Sequence, residues 1–204
     1  MSGRYALQGR QVLAGLRAWV EAVNAGGGLN VPGIRAWAPV RLVYYDDASS
    51  PAKAAANAER LLDADAVEIL IGPYGSDLTR AVLPVTRRRG RLVWNHGGAS
   101  DDIHLEGGRA VGILTPVSRY FGGLIELARS LDCDAARVAF LHRRGGGFGR
   151  LAALGVQAAA SDAMFVTDVV TYSSLAGDLP GVMAGLQRRR PDLVISAGSF
   201  DDEV

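Results

Sequence analysis

The chain has 204 residues, 49% hydrophobic and 21% charged, the balance of a packed globular protein rather than a disordered one, and its length allows one large or two small domains. A net charge of +1, with Lys53 the only lysine in an arginine-rich basic set, gives no general attraction to nucleic acid or to an anionic membrane. One cysteine, Cys133, excludes an internal disulfide and any multi-cysteine zinc site, no run approaches the ~18 apolar residues of a membrane span, and no basic-then-apolar export signal opens the chain.

From Tyr5 to Asn24, Val12, Leu13, Leu16, Trp19, Val20 and Val23 recur at helical spacing, which predicts a helix that Gly26-Gly27-Gly28 ends. Pro39 precedes a predicted strand, Val40 to Tyr45, and Pro51 opens an alanine-rich helix through Leu62. Val67, Ile69, Leu70 and Ile71 read as a buried strand stopped by Gly72-Pro73. Gly75 permits a tight turn, and Ser76 or Asp77 is the expected N-cap of a helix running to about Arg89. A strand over Arg91 to Asn95 then opens into the turn-rich loop from His96 to Asp102. Arg109 to Thr115 is a predicted strand, and Ser118 is the expected cap of a helix through Leu131. Strands at Arg137 to His142, Met164 to Tyr172 and Asp192 to Ala197 alternate with helices at Phe148 to Ser161 and around Leu179, Val182, Met183 and Leu186. This βαβα order predicts an α/β fold with parallel sheets flanked by helices, in two lobes, 1–117 and 118–204. No strand precedes the first helix and the last sheet stops early, so the chain reads as cut at both ends, with the opening strand of the first lobe missing and the second lobe incomplete.

The amides at the start of the helix after Gly75, with the positive end of its dipole, suit a carboxylate or phosphate, and the Ser76 hydroxyl adds a hydrogen bond; a plain serine cap is the competing reading. Gly147, Gly149 and Ala152 satisfy a G-x-G-x-x-A dinucleotide fingerprint within the run Gly145 to Gly149. However, Asp168 lies inside the next strand and His142-Arg143-Arg144 is not an apolar entry, so a glycine-rich loop without a nucleotide competes. There is no G-x-S-x-G elbow, and Cys133 sits between two aspartates that raise a thiol pKa. His96 with Asp101 and Asp102 is a candidate metal-binding group, but the spacing sets no ligand pair on one helical face, and plain loop solvation is the favoured competing reading. The arginine triplets at 87–89 and 188–190 end helices, where positive charge suits the dipole without a nucleic-acid partner. The loops at the strand ends carry hydroxyls, glycines and aromatics, which suit binding rather than bond breaking, so no catalytic residue, metal or cofactor is expected.

Several stretches in order carry a resemblance: Met1-Ser2-Gly3 with Gly9, Val23-Asn24-Ala25-Gly26-Gly27, Tyr45-Asp46-Asp47-Ala48 with Pro51, and Ile71-Gly72-Pro73 with Ser76 and Thr79. It continues through Gly90, the Asn95 to Ser100 loop, His142, Phe148-Gly149 and the strand before Gly198. Together they resemble the leucine/isoleucine/valine-binding proteins, the type I periplasmic solute receptors of branched-chain amino acid ABC importers. The resemblance implies two Rossmann-like lobes closing on a small solute such as an amino acid held between them, delivery to a membrane permease, no nucleic acid, and a periplasmic or cell-surface location. It implies that Ser76 and the loop of Asn95, Gly97, Gly98, Ala99 and Ser100 grip the ligand's carboxylate and ammonium. It further places Gln8 where an aromatic ligand neighbour stands, Phe148 where a tyrosine faces the ligand, and Phe200 near another. A ligand-sensing module of a regulator or receptor shares the same fold and is the alternative; a nucleotide-dependent enzyme using Gly147 and Gly149 is the third reading.

Overall fold

The computed structural model describes residues 1–33, 35–105, 110–131, 136–144 and 147–198. The chain forms two compact units, one built from Met1–Gly98 with Ile103–Leu114, the other from Ala99–Asp102 with the chain from Thr115 onward.

In the first unit, helix α1 (Ala6–Ala25) leads into a short antiparallel hairpin, β1 (Leu29–Val31) and β2 (Ala36–Ala38), which the sequence pattern did not signal. Helix α2 (Pro51–Asp63) has proline at its first position, as the sequence predicts, and Ser50 is its N-cap. Strand β3 (Leu70–Ile71), helix α3 (Ser76–Arg88), strand β4 (Val93–Asn95), helix α4 (Asp101–Leu105) and strand β5 (Ala110–Gly112) follow. The three strands make a parallel sheet in the order β3-β4-β5. The core lies where α2 and α3 pack on this sheet, around Leu70, Leu78, Val82, Leu83, Val93 and Ile103. α2 and α3 are also tied at their polar rims, Arg88 to Glu59 at 3.1 Å and Arg89 Nε to Asp63 at 2.6 Å, so the first arginine run serves a helix pair.

Three expectations are corrected along this part of the chain, the third at Asp101 and Asp102, which belong to the second unit. The predicted strand Val40 to Tyr45 runs without helix, turn or bend but joins no ladder among the described residues. β3 keeps two residues of its predicted run, because Val67 to Ile69 have no strand alongside them among the described residues. Asp101 and Asp102, read as loop, start α4, where acidic side chains suit the first turn.

The second unit opens with a 3-10 turn, Val117–Arg119, and then α5 (Gly122–Leu131). Ser118 therefore caps no α-helix; its hydroxyl donates to Asp101 instead. Strand β6 (Arg137–Arg143), helix α6 (Gly147–Asp162), strand β7 (Val166–Tyr172), helix α7 (Leu175–Arg189) and strand β8 (Leu193–Ala197) form a parallel sheet in the order β7-β6-β8. Central β6 is buried from Val138 to Leu141, with Phe140 packed edge-on against Phe121 at 5.5 Å. Gly155 lets α6 lie directly on the 3-10 turn: a Cβ there would stand 1.9 Å from the Ser118 carbonyl oxygen. Cys133, Gly145, Gly146 and Phe200 lie outside the described residues.

Candidate functional site

β3 and β4 are parallel neighbours, Leu70 opposite Val93 and Ile71 opposite Trp94, so the loops that leave them emerge at one sheet edge. Main-chain bonds join these loops. The Gly72 N–H donates to the Trp94 carbonyl at 2.9 Å and the Gly75 N–H to the Gly97 carbonyl at 3.0 Å. His96 Nε2 donates back to the Gly72 carbonyl at 2.8 Å, which fixes its tautomer. Side chains at two of these positions would push the loops apart. Gly75 has φ 104°, and a Cβ on it would lie 2.7 Å from the Tyr5 ring; one on Gly97 would lie 2.7 Å from the Tyr74 Cα.

Within the second loop, Asn95 is fully buried and closes on Gly98 from both sides: its Nδ2 donates to the Gly98 carbonyl at 2.7 Å and its Oδ1 accepts the Gly98 N–H at 2.8 Å. Thr79, also fully buried, donates its hydroxyl to the Gly75 carbonyl at 2.9 Å, one turn into α3. The result is a rigid double turn from which α3 departs.

The N-cap expectation for Ser76 or Asp77 is corrected. Gly75 occupies the cap position, with no side-chain cap bond, and Ser76 is the first helical residue, half-buried. The turn that only glycine adopts comfortably falls one residue earlier than the hydroxyl. Asp77 turns to Arg4, and the Tyr5 hydroxyl donates to its Oδ1 at 3.3 Å. Burial, then the Asp77 carboxylate, pushes the Tyr5 phenol above its ordinary range. Tyr5 also packs edge-on against Tyr74 at 5.4 Å, so two aromatic rings flank the turn. His96 is not a solvated loop histidine: burial holds its ring below the usual imidazole range, which favours the neutral form.

The other candidates are placed as follows. Gln8 is half-buried on α1, and its Oε1 is shut from solvent with no hydrogen-bond partner among the described residues. Ala99 and Ser100 are buried and belong to the second unit, where the Ala99 carbonyl accepts the Val117 N–H at 2.8 Å. Phe148, in the first turn of α6, is 44% exposed and stacks edge-on with Tyr120 at 5.9 Å. The structure therefore brings Ser76, Asn95, Gly97 and Gly98 together in one unit. Sequence reasoning missed Tyr5 and Tyr74 as parts of this corner and gave Thr79 and His96 no part in locking its loops; the aromatic between two glycines in Gly72-Pro73-Tyr74-Gly75-Ser76 was the available signal.

The dinucleotide reading loses its acid. Asp168 lies in β7 with Arg137 at 3.6 Å and Arg189 at 3.4 Å, and Gly149 makes room for His142 rather than for a pyrophosphate, a Cβ there standing 2.8 Å from Nδ1. Among the described residues no cluster of three or more His, Cys, Asp or Glu side chains is placed to hold a metal, and no helix is long and apolar enough to cross a membrane.

Residues 1–204 match the periplasmic binding protein family. Among solved structures, a putative branched-chain amino acid ABC transporter from Silicibacter pomeroyi superposes with TM-score 0.79 at 18% identity, covering 99% of this chain and 53% of its own. The substrate binding protein LivJ from Streptococcus pneumoniae, in complex with isoleucine, gives 0.72 at 19%, covering 96% and 53%. A solute binding protein from R. palustris, in complex with 4-hydroxybenzoate, gives 0.73 at 22%, covering 97% and 51%. The chain thus spans about half the length of the structures it matches.

Proposed function

Because this chain belongs to the periplasmic binding protein family, we propose that it is the solute-binding component of an ABC importer for amino acids or related small carboxylates, working outside the cytoplasmic membrane. The observation that carries the reading is the locked pair of loops at Gly72 to Ser76 and Asn95 to Gly98, at the carboxyl edge of a parallel sheet with the N-terminus of α3 beside it. Such an edge is where open α/β sheets hold ligands, and a helix start favours an anion. Ser76 and the backbone of Gly97 and Gly98 are the anion-holding group; Asn95 shapes the loop rather than touching solute. Ala99, Ser100, Gln8, Phe148 and Phe200 complete the ligand set in this reading. Isoleucine and 4-hydroxybenzoate, each in complex with one of the structural relatives, share a carboxylate, which is the group this corner suits. The partner is a membrane permease that receives the solute.

A thermal-shift panel of leucine, isoleucine, valine, benzoate and 4-hydroxybenzoate tests it. A ligand at a hundred times its dissociation constant adds about 2.7 kcal/mol to unfolding. Ser76→Ala is expected to weaken any hit about tenfold while leaving the unliganded transition in place. No shift from any carboxylate, or a shift indifferent to Ser76, overturns the assignment.

A further inference from the structure

The sign of the charge at the α3 corner is set by two side chains outside the two loops. Gly72 to Ser76 and Asn95 to Gly98 hold no aspartate, glutamate, lysine or arginine, and burial favours the neutral ring of His96. Next along the chain comes Asp77, in the first turn of α3. A Cβ added at Gly75 would stand 3.1 Å from its Oδ1, so the carboxylate lies beside the helix start itself. An acid there suits the dipole, and left bare it would compete with a solute carboxylate for the same positive end.

Asp77 is not left bare. Arg4, 73 residues earlier, donates from Nη2 to its Oδ2, and the Tyr5 hydroxyl donates to its Oδ1 at 3.3 Å. The Arg4 guanidinium also lies over the Tyr5 ring, 4.6 Å from its centre, and the Tyr5 N–H donates to Ser49 Oγ at 3.0 Å, which fixes the segment that carries both residues. Stability alone accounts poorly for the pair. The Arg4 and Asp77 side chains are 61% and 33% exposed, and ion pairs at that exposure add little to folding. What the arginine does change is the charge a solute meets: Asp77 with Arg4 is neutral, whereas Asp77 alone is an anion next to Ser76.

Resting on the solute-site reading given above, we propose that Arg4 is a positioning and selectivity residue of this corner: it neutralises Asp77, leaves the start of α3 to the carboxylate of the solute, and does so without touching the solute. Two unit charges roughly 7 Å apart at an effective dielectric of about 50 change an affinity about fivefold. The cost of a bare Asp77 falls mainly on solutes that carry only negative charge, because the ammonium of an amino acid offsets part of the repulsion. Arg4 therefore tilts the site toward simple carboxylates, of which benzoate is the probe.

The test is calorimetric titration of benzoate and of leucine into the full 204-residue chain and its Arg4→Gln, Asp77→Asn and doubly substituted variants. Each is run at about 10 mM and about 1 M salt, between which the screening length falls from about 30 Å to about 3 Å. At low salt Arg4→Gln is expected to weaken benzoate about fivefold and leucine less than about twofold, and high salt is expected to remove most of the benzoate loss. Adding Asp77→Asn to Arg4→Gln is expected to restore benzoate to the wild-type affinity or better, since no carboxylate then remains to be neutralised. A benzoate loss that persists in the Asp77→Asn background overturns the proposal by making Arg4 a direct contact. An equal, salt-independent loss of both probes overturns it by making the pair structural, and leucine bound without benzoate overturns the selectivity. Failure of both probes to bind the wild-type chain overturns the solute-site reading and Arg4's role together, whereas binding that needs Ser76 but ignores Arg4→Gln overturns Arg4's role alone.

Discussion

Asn95 and Gly98 hold one another by two hydrogen bonds, 2.7 and 2.8 Å, with the asparagine completely buried at the end of β4. A single carboxamide thereby satisfies the N–H and the C=O of the residue that ends the loop. Asn95→Ala leaves both groups unpaired in the interior, so a loss of about 2–4 kcal/mol is expected in urea unfolding. Asn95→Asp keeps the acceptor but sets a carboxylate against the Gly98 carbonyl, and its stability is expected to recover as the pH falls and the acid protonates. A pH-independent Asn95→Asp variant would contradict the pairing.

Glycines in this chain divide by what surrounds them. Gly155→Ala drives a Cβ into the Ser118 main chain and is expected to cost about 1–3 kcal/mol or more. Gly15, inside α1 with nothing within 4 Å of a Cβ, is the opposite case: Gly15→Ala is expected to add about 0.5–1 kcal/mol, a rise of roughly 2–4 °C per kcal/mol in a chain of this size. Thermal melts of the two variants shifting the same way would refute the assignment of α1 and α6 contacts.

Two pH windows are expected. Burial depresses His96 below its ordinary 6.5, so the unfolded ring takes a proton first as the pH drops. Its contribution is intact above 6.5 and declines as the pH falls toward the folded value. His96→Gln, which still reaches the Gly72 carbonyl as a donor, is expected to flatten that part of the stability profile. Asp192 accepts the N–H groups of Ala136 and Arg137 at 2.8 and 2.9 Å, which hold its carboxyl below the ordinary 3.8. That contribution is present above 3.8 and is lost as the pH falls through the folded value; Asp192→Asn is expected to remove this acid-range dependence and leave the His96 window unchanged.

Phe148 is tied to Tyr120 by an edge-on contact at the second unit's surface. Phe148→Leu is expected to change stability by less than about 1.5 kcal/mol. If the residue also meets solute, the same change weakens ligand in the thermal-shift panel, a separation that a purely structural contact would not produce.

The α/β alternation, the helices of both units and the glycine turn after β3 were legible in residue order, because periodicity and turn formers act over a few neighbours. α1 shows the limit of that reading: its apolar stripe predicts a helix with a buried face, and the helix forms, but the stripe lines a cavity and no residue of α1 is fully buried. Likewise Val40 to Tyr45 has strand composition but joins no ladder among the described residues, since a ladder needs a second chain segment at the right distance. The sequence by itself determined element type, the parallel layered class and the importance of the turn at Gly75. Tertiary structure alone decided that Gly75 and not Ser76 caps α3, that Asn95 serves Gly98, that His96 locks the two loops, and that Asp168 faces two arginines. Each of those depends on backbone and side-chain groups from separate strands meeting within about 3–4 Å, and hydrogen bonds at that range are set by packing rather than by local spacing.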